Sequence, residues 1–509
     1  MAVVFDGESL TIEEVVRIAR DGEHALLSPK AESNIVKARA YVERKLAEGA
    51  VIYGLTTGFG MFQDTFVSPD NAKTLQYNLI VSHACGMGDP LPEDVVRAMM
   101  ALRVNAVAKG YSGIKLSTVN TLIDMLNKGV VPVVPEKGSL GASGDLALLA
   151  HMVMPMIGEG EASYKGVRMK GRRAMESAGI PIIDLESKEG LALINGTQAM
   201  CAVGLLAFHD ANVIARTADV LAALCCEALL GIKKAFDLKI QEVRNIQGQI
   251  DVAKNLLKLL DGSLLSSDSN PSKVQDAYSI RCTPQIHGGS REAMRYVRGM
   301  LSGEINAATD NPLIFPDEDE VISGGNFHGQ PIAIALDTLG IAAAEFASVS
   351  ERRLERLVNP SLNSGLPAFL CQKGGLNNGL MIIQYVAASM VSENKIYAHP
   401  ACVDSIPSSA NQEDHVSMGT TAARTARMIV DNTARVLAIE LFAECQALFL
   451  RGEKMMAPAT KAVYDHVRAA GVPVVECDIF MQPEIKKCEA MIVSGEVCDA
   501  AGLVCGKLL

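Results

Sequence analysis

A mainly α protein is expected, a long helical bundle with a smaller N-terminal part. Three observations predict it. Apolar residues make up 49% of the chain while aromatics reach only 5% and Trp is absent, so the core is aliphatic, rich in Ala, Leu, Ile and Met. That composition favours packed helices over a sheet sandwich. From about residue 191, apolar side chains recur at alternating threes and fours: Ile332, Leu336, Leu339, Ala343 and Phe346, then Val430, Ala434, Leu437, Leu441, Cys445 and Leu448. Such stripes are the buried faces of long helices, and segments apolar beyond one face belong inside a bundle or an oligomer. The stretch 158–190 is different, richer in Gly, charge and short strand-like pieces, and reads as a small mixed layer. Domains are therefore expected at 1–190 and 191–509.

Along the chain, a hairpin is expected to turn at Asp6-Gly7. Thr11-Ile-Glu-Glu14 supplies a capping box for a helix that should stop near Gly22. A glycine-rich loop follows at Tyr53-Gly-Leu-Thr-Thr-Gly-Phe-Gly60. Residues 91–130 are helical in pattern, broken between Gly110 and Gly113, and Val130 to Pro135 is extended. Polar loops near 262–285, 304–330 and 400–420 interrupt the later helices, and loops held by rigid helices are where function tends to sit.

The net charge of −11 argues against nucleic acid and anionic membrane as partners. No apolar run long enough to span a bilayer is expected. The first residues lack a basic region and a long apolar stretch, so a cytoplasmic location is expected. The twelve cysteines, Cys85 to Cys505, are scattered without a Cys-x-x-Cys pair, so they read as reduced thiols and no metal is expected.

The segment Gly138-Ser-Leu-Gly-Ala-Ser-Gly-Asp-Leu-Ala-Leu-Leu-Ala-His151 contains a tripeptide with unusual potential. In Ala142-Ser143-Gly144, the amide nitrogen of Gly144 can attack the carbonyl carbon of Ala142 and close a five-membered ring. Loss of two waters then leaves a 4-methylidene-imidazol-5-one, with the former Ser143 β-carbon as an electron-poor =CH2. Glycine admits the close approach and strained dihedrals, alanine leaves room, and serine supplies a hydroxyl to eliminate. The bland alternative is a small-residue turn before a helix, with Ser143 or Asp145 as N-cap.

Other polar clusters lie far apart. They include Tyr53 with its loop, Asn78-Leu-Ile-Val-Ser-His-Ala-Cys-Gly86, Asn195-Gly-Thr-Gln198 and Val274-Gln-Asp-Ala-Tyr-Ser-Ile-Arg-Cys-Thr-Pro-Gln285. Thr309-Asp-Asn-Pro312, Gly325-Asn-Phe-His-Gly329 and Ser408-Ser-Ala-Asn-Gln-Glu-Asp-His-Val-Ser-Met418 complete the set. With Gly-Ala-Ser-Gly-Asp, and in this order along essentially the whole chain, they resemble the aromatic amino acid ammonia-lyase family. There are departures: Leu148 stands where the family commonly has proline, and Arg244-Asn-Ile-Gln-Gly-Gln249 replaces an Arg-Pro-His motif.

The resemblance implies that the tripeptide forms the methylidene-imidazolone autocatalytically. It implies that this electrophile takes the α-amine of a small amino-acid substrate, splitting a difficult elimination into easier steps. It makes Tyr53 the base for the β-proton, although a phenol with a pKa of about 10 needs nearby positive charge or donors to serve at neutral pH. Arg281 becomes the clamp for the substrate carboxylate, and Tyr278, three residues earlier and on the same face if this piece is helical, a polar partner of the reacting centre, with Gln275 in support. Asn195 hydrogen-bonds the prosthetic ring and holds negative charge there. Phe327 packs beside the ring. The resemblance further implies a homotetramer, with active sites assembled from more than one subunit.

For the substrate ring, the resemblance points to His83 and Glu413. Phenylalanine-specific members typically carry an apolar pair where this chain has Ser82-His83, and Glu413 matches the acidic residue that pairs with an imidazole. A carboxylate accepts an imidazole N–H and is left unpaired against a phenyl ring. Elimination of ammonia from L-histidine to urocanate is thus expected. The alternatives are a phenylalanine or tyrosine ammonia-lyase, a 2,3-aminomutase on the same prosthetic group, or a catalytically silent helical scaffold.

Overall fold

The computed structural model describes residues 2–50, 52, 57–58, 64–68 and 71–509. The protein is mainly α: nineteen α-helices occur among the described residues, against nine short strands in four sheets of two or three. The longest helices are Gln198–Ala228, Thr283–Glu304, Gln330–Val358 and Gly419–Arg451. Both apolar stripes fall on the last two, and every residue of both is at most 3% exposed. Contrary to expectation, Gln198–Ala228 and Gln330–Val358 are long and apolar enough to cross a membrane, yet 78% and 67% of their apolar windows are buried inside the protein. They are core helices.

The chain divides into two compact units, each drawn from three stretches. The first comprises Met1–His209, Arg298–Asp337 and Pro400–Arg424, and it holds all nine strands. Its capping box forms as expected: the Glu14 amide donates to Thr11 Oγ1 at 3.2 Å and the Thr11 amide to Glu14 Oε2 at 2.9 Å. The helix Ile12–Val16 runs on as a wider turn, Arg17–Asp21, and stops at Gly22 in the left-handed region. No hairpin forms at Asp6-Gly7. Strand Val3–Phe5 instead pairs in parallel with Ala25–Leu27, across that helix. The turn is real, with Asp6 Oδ1 accepting from the amides of Glu8 and Ser9, but the Gly7 amide is bound by Asn105, which directs the chain into the helix.

Helix Glu93–Ala108 is buried on nearly every side, and Leu116–Lys128 follows, ended by left-handed Gly129. Strand Val130–Pro132 then pairs with Glu161–Tyr164, which pairs with Val167–Lys170, forming the expected mixed layer. Pro135–Lys137 pairs with Met87–Pro90. The loop 138–145 therefore leaves a strand and enters the helix Leu146–Val153, with both ends fixed. Helices Gln198–Ala228 and Gln330–Val358 approach so closely here that a Cβ at Gly204 would overlap Leu336.

The second unit comprises Asp210–Val297, Thr338–His399 and Thr425–Leu509, and its regular elements are all helical among the described residues. At its centre Arg353 grips Glu440 bidentately, Nε to Oε1 at 2.5 Å and Nη2 to Oε2 at 2.9 Å, and Ser350 adds a third bond. Cys225, Glu440 and Glu444 bring three donor atoms within 4.8 Å of one another, all buried, but Glu440 is already committed to the guanidinium.

Candidate active site

The loop before helix Leu146–Val153 is shaped by glycines. Gly141 (φ 67°) and Gly144 (φ 72°) are both left-handed. Gly144 lies against Gly196 as an isolated parallel bridge, and a Cβ at Gly144 would overlap the Gly196 carbonyl, so only glycine fits. The Asp145 amide donates to the same carbonyl at 2.8 Å. Asp145 stands at the N-cap position, as the bland reading allowed, but its side chain does not cap. It turns inward, fully buried, and accepts from Ser139 Oγ (2.7 Å), Thr420 Oγ1 (2.5 Å) and the Met200 amide (2.8 Å). Burial pushes its carboxyl above the ordinary value, against the pull of these bonds.

Asn195 follows helix Glu189–Ile194 and is buried. Its Nδ2 donates to the Ser143 carbonyl at 3.1 Å, while its Oδ1 is buried with no partner among the described residues. Its backbone is held by Arg103, whose Nη1 donates to the Asn195 carbonyl (2.9 Å) and to Gln198 Oε1 (2.8 Å). This guanidinium is 1% exposed, and burial brings its pKa down to about 10.

The segment 405–420 covers the loop. Ser417 Oγ donates to the Gly141 carbonyl at 2.9 Å and the Met418 amide to the Leu140 carbonyl at 2.9 Å. Ser408 and Glu413 exchange backbone bonds, and Ser408 Oγ donates to Glu413 Oε2 at 2.8 Å. Glu413 Oε1 in turn accepts from Ser143 Oγ at 2.7 Å. Ser409, Ala410, Asn411 and Met418 all have positive φ, and such non-glycine strain gathers at functional sites.

A cavity of about 680 Å³ opens on this arrangement. Ala142, Ser143, Asn195, Phe327 and Glu413, named from sequence, all line it. So do Asn311, Asp414, His328 and His415, which sequence reasoning quoted inside motifs but gave no role. His328 and His415 stack with ring centroids 5.5 Å apart. His83, at the end of helix Ala72–His83, is half-buried and bonded to Ser82 Oγ at 3.0 Å. Burial holds its imidazole below the ordinary value, while the Leu79 carbonyl and the Glu413 charge pull the other way.

Thr57 and Asp64, from the glycine-rich region, line the cavity, but Tyr53 lies outside the described residues. Gln275, Tyr278 and Arg281 belong to the second unit and are not among the described residues lining this cavity. The short helix Tyr278–Arg281 does put the pair on one face: the guanidinium carbon lies 4.6 Å from the Tyr278 ring centroid. Arg281 Nε donates to the Asp276 carbonyl at 2.9 Å, and Tyr278 is 69% exposed. Asp145 and Arg103 are the residues sequence reasoning missed. Asp145 was visible beside the tripeptide; Arg103, one of two arginines in the helix Glu93–Ala108, gave no signal.

The profile of the aromatic amino acid lyase family matches residues 10–469. A histidine ammonia-lyase of Caldanaerobacter subterraneus subsp. tengcongensis is 57% identical over 495 residues, covering 97% of each chain. The crystal structure of a histidine ammonia-lyase from Trypanosoma cruzi superposes with a TM-score of 0.92 at 42% identity, covering 99% of this chain and 96% of that one. A tyrosine aminomutase from Streptomyces globisporus superposes with a TM-score of 0.95 at 36% identity, covering 99% of each. With its Ala-Ser-Gly loop braced by Asn195 and Asp145 and matched over nearly its whole length, the chain belongs to the aromatic amino acid lyase family.

Proposed function

We propose that the chain eliminates ammonia from L-histidine, giving urocanate, with an electrophile formed from Ala142-Ser143-Gly144. The observation that carries the reading is the position of Glu413, its carboxylate 2.7 Å from the oxygen of the serine that would become the electrophile. An acidic group so close to the reacting centre suits a substrate ring bearing N–H. A phenyl ring would leave it desolvated without a donor, a loss of about 1–3 kcal/mol. The histidine ammonia-lyases at 57% and 42% identity support the same substrate.

The residues around the tripeptide fit a methylidene-imidazolone. Gly144 has no space for a Cβ, and Asn195 meets Ser143 with one amide atom while the other is buried and unpartnered. The group supplies an electrophilic carbon for the substrate's α-amine. Asn195 Nδ2 stands where negative charge on the Ser143 carbonyl oxygen would be stabilised by a fixed donor. Glu413 receives the imidazole N–H, His83 orients the ring, and Phe327 keeps water from it. Tyr53 takes the β-proton. Arg281, stacked on Tyr278 and aided by Gln275, clamps the carboxylate. These last three come to the cavity from another subunit of a cytoplasmic homotetramer.

The test is the product spectrum with L-histidine, L-phenylalanine and L-tyrosine. Urocanate from histidine alone is expected. Cinnamate or coumarate without urocanate, or a β-amino acid, overturns the reading.

A further inference from the structure

Glu413 has a partner before any substrate arrives. Its Oε1 is taken by the Ser143 hydroxyl at 2.7 Å and its Oε2 by Ser408 Oγ at 2.8 Å. The backbone bonds between Ser408 and Glu413, with the Ser417 hydroxyl donating to the Gly141 carbonyl and the Met418 amide to the Leu140 carbonyl, fix the carboxylate against the loop. Among the described residues, Glu413 is the one titratable side chain hydrogen-bonded to Ser143.

We propose that the Glu413 carboxylate is the proton shuttle of the dehydration that turns Ser143 into the methylidene carbon, and that the same step frees its Oε1 for the substrate ring. The inference rests on the tripeptide being the precursor of that group. In ring closure, a bond forms between Gly144 N and Ala142 C. The Ala142 oxygen leaves as water with the hydrogens of Gly144 N and Ser143 N. The second water is different, because the Ser143 Cα–H and Cβ–Oγ bonds both break and a Cα=Cβ bond forms. That step needs a base at Cα and an acid at Oγ. Ring closure conjugates Cα with C=N and C=O, so a carboxylate becomes an adequate base. Oγ is two bonds from Cα, so one carboxylate held against Oγ reaches both atoms. Glu413 takes the Cα proton and passes it to the departing Oγ. The oxygen leaves as water carrying its own hydrogen and the former Cα hydrogen, and Glu413 ends ionised, as it began. With the hydroxyl gone, Oε1 is an acceptor without a donor, facing the cavity where an imidazole N–H would lie.

The test is the intact mass of the purified full chain, followed with time after synthesis, for the wild type, Glu413→Gln and Glu413→Ala. The wild type loses two waters. The variants are expected to accumulate at the loss of one, ring closed and hydroxyl retained, with the second loss slowed about a hundredfold, a usual contribution of acid–base catalysis. Glu413→Asp, which keeps the carboxylate, should recover part of the rate. Variants that lose both waters at the wild-type rate overturn the proposal. So do well-folded variants, by circular dichroism and thermal melting, that lose none, since Glu413 would then only position the loop. A wild-type chain that loses no water sinks the prosthetic-group reading itself.

Discussion

Asp145 shows how much one buried carboxyl can organise. Three donors converge on it from three parts of the chain: Ser139 in its own loop, Met200 at the start of Gln198–Ala228, and Thr420 at the start of Gly419–Arg451. Asp145→Ala leaves the buried Met200 amide and Thr420 hydroxyl without an acceptor, while Ser139 Oγ keeps only the Gly144 carbonyl at 3.3 Å. An unsatisfied buried group costs about 1–3 kcal/mol, so the variant should lose about 3 kcal/mol or more. Asp145→Asn keeps the shape but sets an amide NH2 among donors, and should also destabilise. Chemical denaturation measures both, and intact mass should show less water loss in each. An Asp145→Asn chain as stable as the wild type would refute the account. This residue also marks the limit of what sequence shows. Ser143, Asn195, Phe327 and Glu413 were legible because ordered motifs announce them, and they line one cavity. Asp145 was legible only as a cap, because local pattern cannot reveal that its partners come from 55 and 275 residues away.

The helices carry a second buried-charge problem. Glu440 and Glu444 sit one turn apart on Gly419–Arg451, both fully buried. Arg353 and Ser350 satisfy Glu440, whereas no N–H or O–H of another residue type among the described residues reaches Glu444, whose carboxyl shares its hydrogen bond with Glu440. Burial, reinforced by the charge of Glu440, pushes the Glu444 carboxyl well above the ordinary carboxylate range. A group whose folded pKa is raised binds its proton more tightly in the folded state. Its contribution to stability is whole below the unfolded pKa and is lost as pH rises through the folded one. Glu444→Gln should therefore stay within about 1 kcal/mol of the wild type only in acid, below the ordinary carboxylate value where the carboxyl is protonated folded and unfolded alike, the worth of one neutral hydrogen bond. As pH rises above the ordinary carboxylate value, the unfolded carboxyl ionises while the buried one holds its proton, and the variant should become the more stable of the two. Urea denaturation across that range checks it, and a difference between the chains that does not grow with pH would contradict it. The stripe that predicted this helix was read correctly because burial is periodic. The charges it hides were not, since they interrupt no apolar position. The parallel pairing of Val3–Phe5 with Ala25–Leu27 was missed for a related reason: a turn signal is local, while the partner strand lies beyond a helix.

For the whole molecule, two sets of residues have different needs. Among the described residues, Ser139, Asn195, Gly196 and Glu413 bond the tripeptide, and all four lie with it in the first unit. Gln275, Tyr278 and Arg281 lie in the second unit, and in the proposed assembly they serve a neighbour's cavity. The second unit also carries an apolar face without cover. Helix Met381–Tyr397 buries Ile383, Ala387 and Asn394, yet Ile382, Tyr385, Val386 and Ile396 are 56%, 60%, 47% and 71% exposed. Exposed apolar side chains repeated at helical spacing on one face mark a surface meant for a partner. Ile382→Asp with Val386→Asp places two charges on that face without touching the cavity residues of the first unit. If this face holds the assembly together, light scattering should report a tetramer for the wild type and a smaller species for the double variant. Maturation and turnover should then separate. The dissociated chain should still lose two waters, because the groups bonded to the tripeptide lie in its own first unit, but histidine turnover should fall by several hundredfold or more, since losing a charge-assisted carboxylate clamp alone costs about 1.5–3 kcal/mol and the base-side partners go with it. A smaller species that retains full turnover would show that Gln275, Tyr278 and Arg281 need no neighbour. A double variant that dissociates and also fails to mature would show that the loop depends on assembly after all.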